Sequence, residues 1–291
     1  MQIKTSHLWH TFGSGTISEF VALKDVSLTF NDGEFIAIIG HTGSGKTTLI
    51  EHLNGLSKPT KGYVKIGNTK ITNARKQKIK NIKDIRKKVG IVFQFAEYQL
   101  FEETIEKDII FGPVNMGVSK ERAKLLAKEY IKLVGLDEEF LPRSPFALSG
   151  GQKRRVALAG ILAMEPDVLI FDEPTAGLDP EGATQMYHIF QKLNAKGKTI
   201  IVVTHDLDHV LEYTKRSIML TNGRVVKDGP TLDVLYDIDF LTKNELHPPK
   251  LVSLVHDLKL CGHKINNVQT IRELEQAIIM SRSENESNSN R

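Results

Sequence analysis

The sequence predicts an α/β domain built around a largely parallel sheet. Strands that are covered on both faces are short and apolar throughout. Segments of this kind are 35–39, 168–171 and 200–203. Between the first two, apolar residues recur at helical spacing from Ala123 to Val134. Ser119 is placed to cap this helix and Gly135 to end it. Alternation of strands and helices along a chain indicates parallel strands joined by crossover helices.

Two further features predict strands of other kinds. Residues 26–30 alternate apolar and polar side chains, as in a half-buried strand. Asn222-Gly223 separates the apolar stretches 218–220 and 225–226. Asn-Gly is a preferred pair for a two-residue turn, so an antiparallel hairpin is expected there.

The length of 291 residues exceeds that of one usual domain, so we expect a large domain with an appendage. The main domain is predicted to occupy residues 1–230, because the strand and helix pattern weakens after that point. Residues 231–280 predict a small C-terminal extension of short helices around the Pro248-Pro249 break. Residues 281–291 are rich in Ser, Asn, Glu and Arg and predict a disordered tail.

The composition limits the classes of protein that need consideration. No stretch approaches the ~18–20 apolar residues that cross a bilayer, and no N-terminal signal segment is evident. Membrane contact would therefore go through partner proteins or a surface patch. The single cysteine, Cys261, excludes an internal disulfide and fits a reducing cytosol. A net charge of +4 is too small to indicate a nucleic-acid partner.

A phosphate-binding loop is predicted directly after the strand at 35–39. Residues 40–47 match G-x-x-x-x-G-K-[ST] and precede a predicted helix. Glycines let backbone N–H groups turn toward phosphate oxygens, and the helix N-terminus adds positive charge. Lys46 would reach the β- and γ-phosphates, and the Thr47 hydroxyl would ligate Mg²⁺. The predicted nucleotide-binding residues here are Gly40, His41, Thr42, Gly43, Ser44, Gly45, Lys46, Thr47 and Thr48.

A second candidate anion site lies about a hundred residues further on. Its sequence is Leu148-Ser149-Gly150-Gly151-Gln152, immediately before a predicted helix. Two glycines at a helix start expose backbone N–H groups. One nucleotide does not need two such sites from one chain, so the simplest account is that this site serves ATP bound to a partner. The alternative is an ordinary capped helix start, since Ser149 is by itself a good N-cap.

Acidic and imidazole side chains follow the other buried strands. Asp172 and Glu173 come directly after 168–171, and His205 follows 200–203. Ligands of open α/β folds bind at this carboxyl edge of the sheet. Asp172 would hold Mg²⁺, Glu173 would act on the attacking water as general base, and His205 would bond a γ-phosphate oxygen. The alternatives are solvated acids at a strand end and a loop histidine without a role.

The combination of these motifs resembles the ABC transporter ATPase family over residues 1–230. The resemblance implies a P-loop NTPase of ABC type, with a mixed sheet core, a helical subdomain at about 95–165 and antiparallel N-terminal strands. It implies that Gln94 senses the γ-phosphate and Mg²⁺ and takes part in catalysis. It further implies that the segment 176–179 crosses a dimer interface, that Asp179 in this segment contacts the nucleotide, and that Phe12 stacks on adenine. Two ATPase domains of this family sandwich two ATP molecules.

Several segments are similar to one subgroup, the energy-coupling-factor (ECF) transporter ATPases. They are 40–43, 51–56, 95–113, 144–146 and 162–166. His41 and Thr104-Ile105 point to the second of the two paralogous ATPases of such modules. Ala96, where the subgroup usually has proline, and Lys153 depart from the pattern without removing a catalytic group.

This resemblance implies an ATP-hydrolysing translocase subunit, with ATP and Mg²⁺ as cofactors, that energises uptake of a vitamin or a transition-metal ion. Its implied partners are the paralogous ATPase in a heterodimer, a transmembrane scaffold protein and a small substrate-binding membrane protein. The implied location is the cytoplasmic face of the cell membrane. Residues 231–280 would assist ATPase pairing. An apolar seat for the scaffold would consist of Phe95, Tyr98, Leu100 and Phe101, for which ordinary core packing is the alternative.

Other functions fit the sequence less well. A soluble ABC ATPase acting on ribosomes would carry two phosphate loops, and one acting on DNA would carry long coiled coils. A nucleotide kinase has no use for residues 148–152, and a non-catalytic partner would have a degenerate site. The basic run at 75–88 could attract anionic lipid. We favour a solvated surface helix for that run.

Overall fold

The structure, a computed structural model, describes residues 1–73, 79 and 81–289. Its strands are β1 (Ile3–Phe12), β2 (Phe20–Phe30), β3 (Phe35–Ile39), β4 (Lys61–Ile66), β5 (Thr69–Thr72), β6 (Val89–Val92), β7 (Val168–Asp172), β8 (Thr199–Val203), β9 (Arg216–Thr221) and β10 (Arg224–Pro230). Its α-helices are α1 (Lys46–Leu53), α2 (Ile82–Lys88), α3 (Ile105–Asn115), α4 (Lys120–Leu133), α5 (Gly150–Leu162), α6 (Pro180–Ala195), α7 (Leu207–Tyr213), α8 (Thr231–Leu235), α9 (Ile238–Lys243), α10 (Lys250–Leu260) and α11 (Ile271–Ser289). Short 3-10 turns span Ala96–Gln99, Glu138–Phe140 and Pro145–Ala147.

Two sheets organise the described residues. An antiparallel sheet has the strand order β2-β1-β4-β5. The central sheet has the order β10-β9-β3-β8-β7-β6, in which β9, β3, β8, β7 and β6 pair in parallel and β10 pairs antiparallel to β9. The predicted α/β class with a mixed central sheet and antiparallel N-terminal strands is confirmed.

The three strands predicted to be covered on both faces are buried at every residue. Along β8, Ile200 and Val202 join one apolar cluster, with the helices that follow β6 and β7. Ile201 and Val203 join a second cluster, toward α1 and the antiparallel sheet. This alternation is the period-two geometry of a strand. Full burial of such side chains contributes roughly 1.5–3 kcal/mol each. Side chains of these strands therefore pack into apolar clusters on both faces of the central sheet. Loops follow at the ends of the same strands.

The predicted helix and hairpin are also present. The Ser119 hydroxyl accepts the Arg122 N–H at 3.3 Å at the start of α4, and Gly135 has a φ of 78° just past its end. Asn222 and Gly223 join β9 to β10 with φ values of 51° and 77°. Positive φ at both positions is what a type I′ hairpin turn requires.

The C-terminal helices α8, α9 and α10 pack on the main domain rather than apart from it. One buried cluster combines Ala37 and Ile39 of β3 with Leu235, Leu241 and Val252 of α8, α9 and α10. The helix α11 continues to Ser289, where composition predicts disorder from residue 281. The polar composition predicts only that these residues do not form a packed core. A helix that is already anchored can still be extended into them, because each added residue forms one further hydrogen bond. The boundary near residue 230 stays a prediction.

Part of the predicted basic helix can be located. Positions 75–78 and 80 lie outside the described residues. In α2, Arg86, Lys87 and Lys88 are exposed and Ile85 is buried. This part of the run agrees with a solvated surface helix. Within the described ranges, no helix has the length and apolar character required to cross a bilayer.

Candidate functional site

A cleft of about 410 Å³ lies where β3, β7 and β8 end. Most of the residues predicted to contact nucleotide or metal line it. They are Phe12, Thr42, Gly43, Gly45, Lys46, Thr47, Thr48, Gln94, Asp172, Glu173 and His205. The structure thus gathers predicted site residues from five separate segments into one place, which we call the phosphate-loop cleft.

The phosphate loop folds around its own lysine. Lys46 Nζ donates hydrogen bonds to the carbonyl oxygens of Gly40, at 2.8 Å, and His41, at 3.0 Å. Gly40 and Gly45 have φ values of 148° and 102°. A Cβ at Gly40 would lie 2.2 Å from the Leu220 carbonyl oxygen, and one at Gly45 would lie 2.7 Å from a carbonyl oxygen of β2. Backbone conformation and close packing both require glycine at these two positions.

The turn between β9 and β10 is hydrogen-bonded to the phosphate loop and to β2. Gly223 N–H donates to the Ser44 carbonyl oxygen at 3.0 Å, and the Gly223 carbonyl accepts from Lys24 N–H at 2.7 Å. The Ser44 side chain is fully buried, and its hydroxyl has no hydrogen-bond partner within the described part of the chain. Gly40, His41 and Ser44 are predicted nucleotide-binding residues that do not line the phosphate-loop cleft.

Two of the three predicted metal ligands meet directly. The Thr47 hydroxyl donates to Asp172 Oδ2 at 3.0 Å. Burial raises the pKa of Asp172, and the neighbouring Glu173 carboxylate raises it too, while the Thr47 hydrogen bond lowers it. Burial lowers the pKa of Lys46, although Glu173 and Asp172 oppose that shift. A cation beside Asp172 would offset the free-energy cost of removing the charged carboxylate from water.

These donors fit Mg²⁺ in the way that nucleotide sites use it. Mg²⁺ prefers oxygen ligands, keeps several waters and takes one or two protein oxygens plus substrate phosphates. Across the described ranges, no group of three His, Cys, Asp or Glu side chains forms a cage for a metal ion. The hydroxyl and carboxylate pair therefore suits a metal that arrives with a phosphate ligand.

Glu173 and His205 form a hydrogen-bonded pair at the cleft. Glu173 Oε2 lies 2.9 Å from His205 Nδ1. The Glu173 side chain is 16% exposed and that of His205 is 74% exposed, so the imidazole covers the carboxylate from the solvent side. Glu173 has a φ of 49°, a left-handed conformation that costs a non-glycine residue on the order of 1–3 kcal/mol. The backbone bond from Glu173 N–H to the Val203 carbonyl, at 2.8 Å, helps hold it there.

The signature segment lies elsewhere on the chain. Of the described residues that line the phosphate-loop cleft, none comes from 148–152. Ser149, Gly151, Gln152 and Asp179 line a different cleft of about 340 Å³. Ser149 caps α5: its hydroxyl accepts the Gln152 N–H at 3.3 Å, and its own N–H donates to Gln152 Oε1 at 3.0 Å. We call this second cavity the signature cleft.

The glycines of the signature have no packing role among the described residues. A Cβ on Gly150 or Gly151 would meet no atom within 4 Å, and neither residue has a positive φ. Glycine at both positions leaves the backbone N–H groups at the start of α5 accessible from outside. Asp179 caps the next helix, since its Oδ1 accepts the Gly182 N–H at 2.8 Å. Ser149 therefore caps α5, as the alternative interpretation of this segment predicts. The neighbouring backbone of Gly150 and Gly151 is open.

Sequence reasoning missed two parts of this region. Phe20 lines the phosphate-loop cleft opposite Phe12 on the neighbouring strand. Arg154 is buried and bonds Glu97 Oε1 at 2.9 Å and the Ala176 carbonyl at 2.5 Å. Burial raises the pKa of Glu97, but the hydrogen bonds from Arg154, a backbone hydrogen bond and the charge of Arg154 together bring the pKa below its usual range. Arg154 thereby ties the turn after β6 to α5 and to the segment before α6.

Comparison with known proteins decides the family. The profile of the ABC transporter family matches residues 23–176. The chain is 56% identical to the energy-coupling factor transporter ATP-binding protein EcfA2 of Mycoplasma mobile, over 96% of each chain. The chain belongs to the ABC transporter ATP-binding proteins of the energy-coupling-factor type. The EcfA2 protein of Enterococcus faecalis is 51% identical to this ABC ATPase over 90% of each chain.

Solved structures give the same fold for this ABC ATPase. CbiO1 of Clostridium perfringens, part of the ABC transporter complex cbiONQ, aligns with a TM-score of 0.72 and 36% identity, covering 87% of this chain and 98% of that one. The dimeric post-hydrolysis state of the ATP-binding cassette MJ0796, bound to ADP and Pi, aligns with a TM-score of 0.70 and 34% identity, covering 79% and 98%. The predicted family, fold and ATP-hydrolysing activity are confirmed.

Proposed function

We propose that this ABC ATPase holds Mg²⁺-ATP between its phosphate-loop cleft and the signature cleft of a second ATPase, and that it drives uptake across the membrane. The observation that carries the proposal is the separation of the two clefts. The space beside the backbone of Gly150 and Gly151 is empty among the described residues. A nucleotide bound to a partner chain would occupy this space. Each chain then completes the other's site.

The roles of the residues follow from their placement. Lys46 and the loop N–H groups neutralise phosphate charge, and Thr47, Asp172 and Gln94 hold Mg²⁺. The metal supplies charge neutralisation at the phosphates. Phe12, which is 46% exposed in the cleft, stacks on adenine. Asp179 lies at the partner-facing end of α6, and Ser149 with its glycines and Gln152 faces the partner's γ-phosphate.

Hydrolysis needs a base that is poised beside the γ-phosphate. Glu173 accepts a proton from the attacking water, and its hydrogen bond to His205 orients the carboxylate. With Nδ1 turned to Glu173, the imidazole presents Nε2 to a phosphate oxygen. ATP favours the closed pair because it bonds to both chains, and removal of the γ-phosphate ends that preference.

Replacing Lys46 by Ala is expected to weaken ATP binding about 10- to 100-fold. Charge-assisted hydrogen bonds contribute roughly 1.5–3 kcal/mol each, and this lysine is the side-chain cation of the loop. The check is an equilibrium titration with ATP. Lys192→Ala removes an exposed lysine of α6 and serves as the matched control with unchanged affinity. Equal affinities of Lys46→Ala and wild type would contradict the assignment.

An apolar groove supports docking of a transmembrane scaffold. Phe95, Tyr98 and Phe101 are 52%, 83% and 57% exposed, and the ring centroids of Phe95 and Tyr98 lie 6.0 Å apart, so these side chains form an exposed apolar patch. Leu100 is partly buried against the core, so ordinary packing accounts for that residue. Leu100 and Phe101 border a cavity of about 240 Å³ beside α3 and α5. A scaffold helix with an apolar face would fill it.

The remaining partners follow from the ECF subgroup. We propose a heterodimer with the paralogous ATPase, assisted by residues 231–280, together with the scaffold and a small membrane protein that captures a vitamin or a transition-metal ion. The ATPase would lie at the cytoplasmic face of the cell membrane. Exposed apolar side chains of the extension support pairing, among them Leu254, Leu260 and Ile271.

Purification of the tagged chain from membranes tests this function. We expect a second ATPase and multi-span membrane proteins to co-purify, with a vitamin or metal ion identifiable in the complex by mass spectrometry. Recovery with ribosomes or DNA instead would favour the rival function as an ABC ATPase that acts on those assemblies.

A further inference from the structure

Two histidines connect the strand of Phe12 to the helix of the phosphate loop. His10 on β1 and His52 on α1 are 42 residues apart, and His10 Nδ1 lies 3.1 Å from His52 Nε2. His52 Nδ1 lies 2.7 Å from the carbonyl oxygen of Thr48. His52 is fully buried, and Thr48 lines the phosphate-loop cleft. A continuous hydrogen-bonded chain therefore runs from β1 into the first turn of α1.

The proton positions in this chain follow from its partners. A carbonyl oxygen only accepts, so the Nδ1 of His52 carries the hydrogen that is donated to Thr48. Burial lowers the pKa of His52 to about 4, so its ring is neutral near pH 7 and its Nε2 is an acceptor. His10 must then donate from Nδ1, which also lies 3.2 Å from the Lys58 carbonyl oxygen. The donors all point the same way, from β1 toward α1.

The other side of the His10 ring supports Phe12. The ring centroids of His10 and Phe12 are 4.4 Å apart at an interplanar angle of 69°, an edge-to-face contact. Alternate residues of a strand lie on the same face, so His10 stands next to Phe12 along β1. His10 also meets the His52 ring edge-to-face at 4.7 Å. His10 therefore contacts His52 on one side of its ring and Phe12 on the other.

We propose that His10 and His52 are positioning residues that set the spacing between the Phe12 ring and the phosphate loop, so that the base and the phosphates of one nucleotide are bound together. The inference rests on the proposed stacking of Phe12 on the base. Its consequence is selective: loss of the connection weakens binding of a nucleoside triphosphate and leaves binding of the phosphate chain alone unchanged. A residue that only stabilised the domain would affect both ligands together.

The test compares Mg²⁺-ATP with inorganic tripolyphosphate as ligands of the full-length protein. His10→Ala is expected to weaken ATP binding about 3- to 10-fold, in line with the typical energy of an aromatic contact, with tripolyphosphate affinity unchanged. His10→Phe keeps the ring edge against Phe12 and should recover part of the ATP affinity. His7→Ala is the matched control, because His7 lies on the same strand and bonds Asp25 at 2.7 Å on an exposed surface.

A double-mutant cycle separates this inference from the function on which it rests. If His10 acts through Phe12, the variant with both His10→Ala and Phe12→Ala binds ATP no more weakly than Phe12→Ala alone. Additive losses, an equal loss for tripolyphosphate, or an unchanged ATP affinity in His10→Ala would overturn the positioning role while Phe12 stacking stands. An unchanged ATP affinity in Phe12→Ala would refute the proposed base site and this inference with it.

Discussion

Replacing Glu173 by Gln is expected to leave ATP binding intact and to lower turnover by ~10²–10⁴-fold, the usual contribution of a general base. Glutamine has nearly the same shape as glutamate, so the backbone at φ 49° and the contact with His205 are retained in outline. An amide cannot accept the proton of the attacking water. Binding and chemistry therefore separate in this variant.

The measurements for Glu173→Gln are an ATP titration and steady-state phosphate release from the same preparation. Glu181→Gln provides the control, since Glu181 lies in the first turn of α6 and bonds Gln185 at 3.1 Å. That variant should hydrolyse ATP normally. Steady-state hydrolysis at the wild-type rate by Glu173→Gln would show that another group activates the water.

Replacing Ser149 by Tyr is expected to abolish turnover at the partner's phosphate loop, which this signature completes, while the chain's own phosphate loop still binds ATP. A bulky ring at this position would fill the space that the γ-phosphate of the partner's nucleotide enters. The N-cap hydrogen bond is lost as well, which costs about 0.5–2 kcal/mol of helix stability. The steric effect must therefore be distinguished from the loss of the cap.

Ser119→Tyr makes that distinction. Ser119 caps α4 with the same geometry, a 3.3 Å bond from a backbone N–H to the serine hydroxyl, and it is exposed as Ser149 is. It lies outside the signature cleft. We expect Ser119→Tyr to lose stability without losing turnover, as measured by thermal unfolding and phosphate release. Equal losses of activity in the two variants would assign Ser149 a structural role only.

Local patterns predicted the parts of this molecule that depend on neighbours in sequence. The uniformly apolar strands β3, β7 and β8, the cap at Ser119 and the Asn222-Gly223 turn each follow from a few consecutive residues. The phosphate loop also follows from consecutive residues, although Gly40 and Gly45 pack against Leu220 and β2, which are distant in the sequence. Such features can be predicted from composition and spacing alone.

Contacts between distant residues were not predictable in this way. Arg154 and Glu97 are 57 residues apart, and His10 and His52 are 42 residues apart. No local periodicity marks either pair, because each forms only when separate elements pack together. The signature stays a predicted anion site, and the fold shows that it lies apart from the phosphate-loop cleft. That separation supports the proposed two-chain site.

Turnover per chain over a dilution series tests the shared site most directly. If two ATPase chains complete each site, the specific rate of phosphate release falls as the chains are diluted and the pairs dissociate, and Ser149→Tyr removes the share of the rate that comes from the partner's phosphate loop at every concentration. A monomer that splits ATP at full rate at the lowest concentration, unaffected by Ser149→Tyr, would contradict the account.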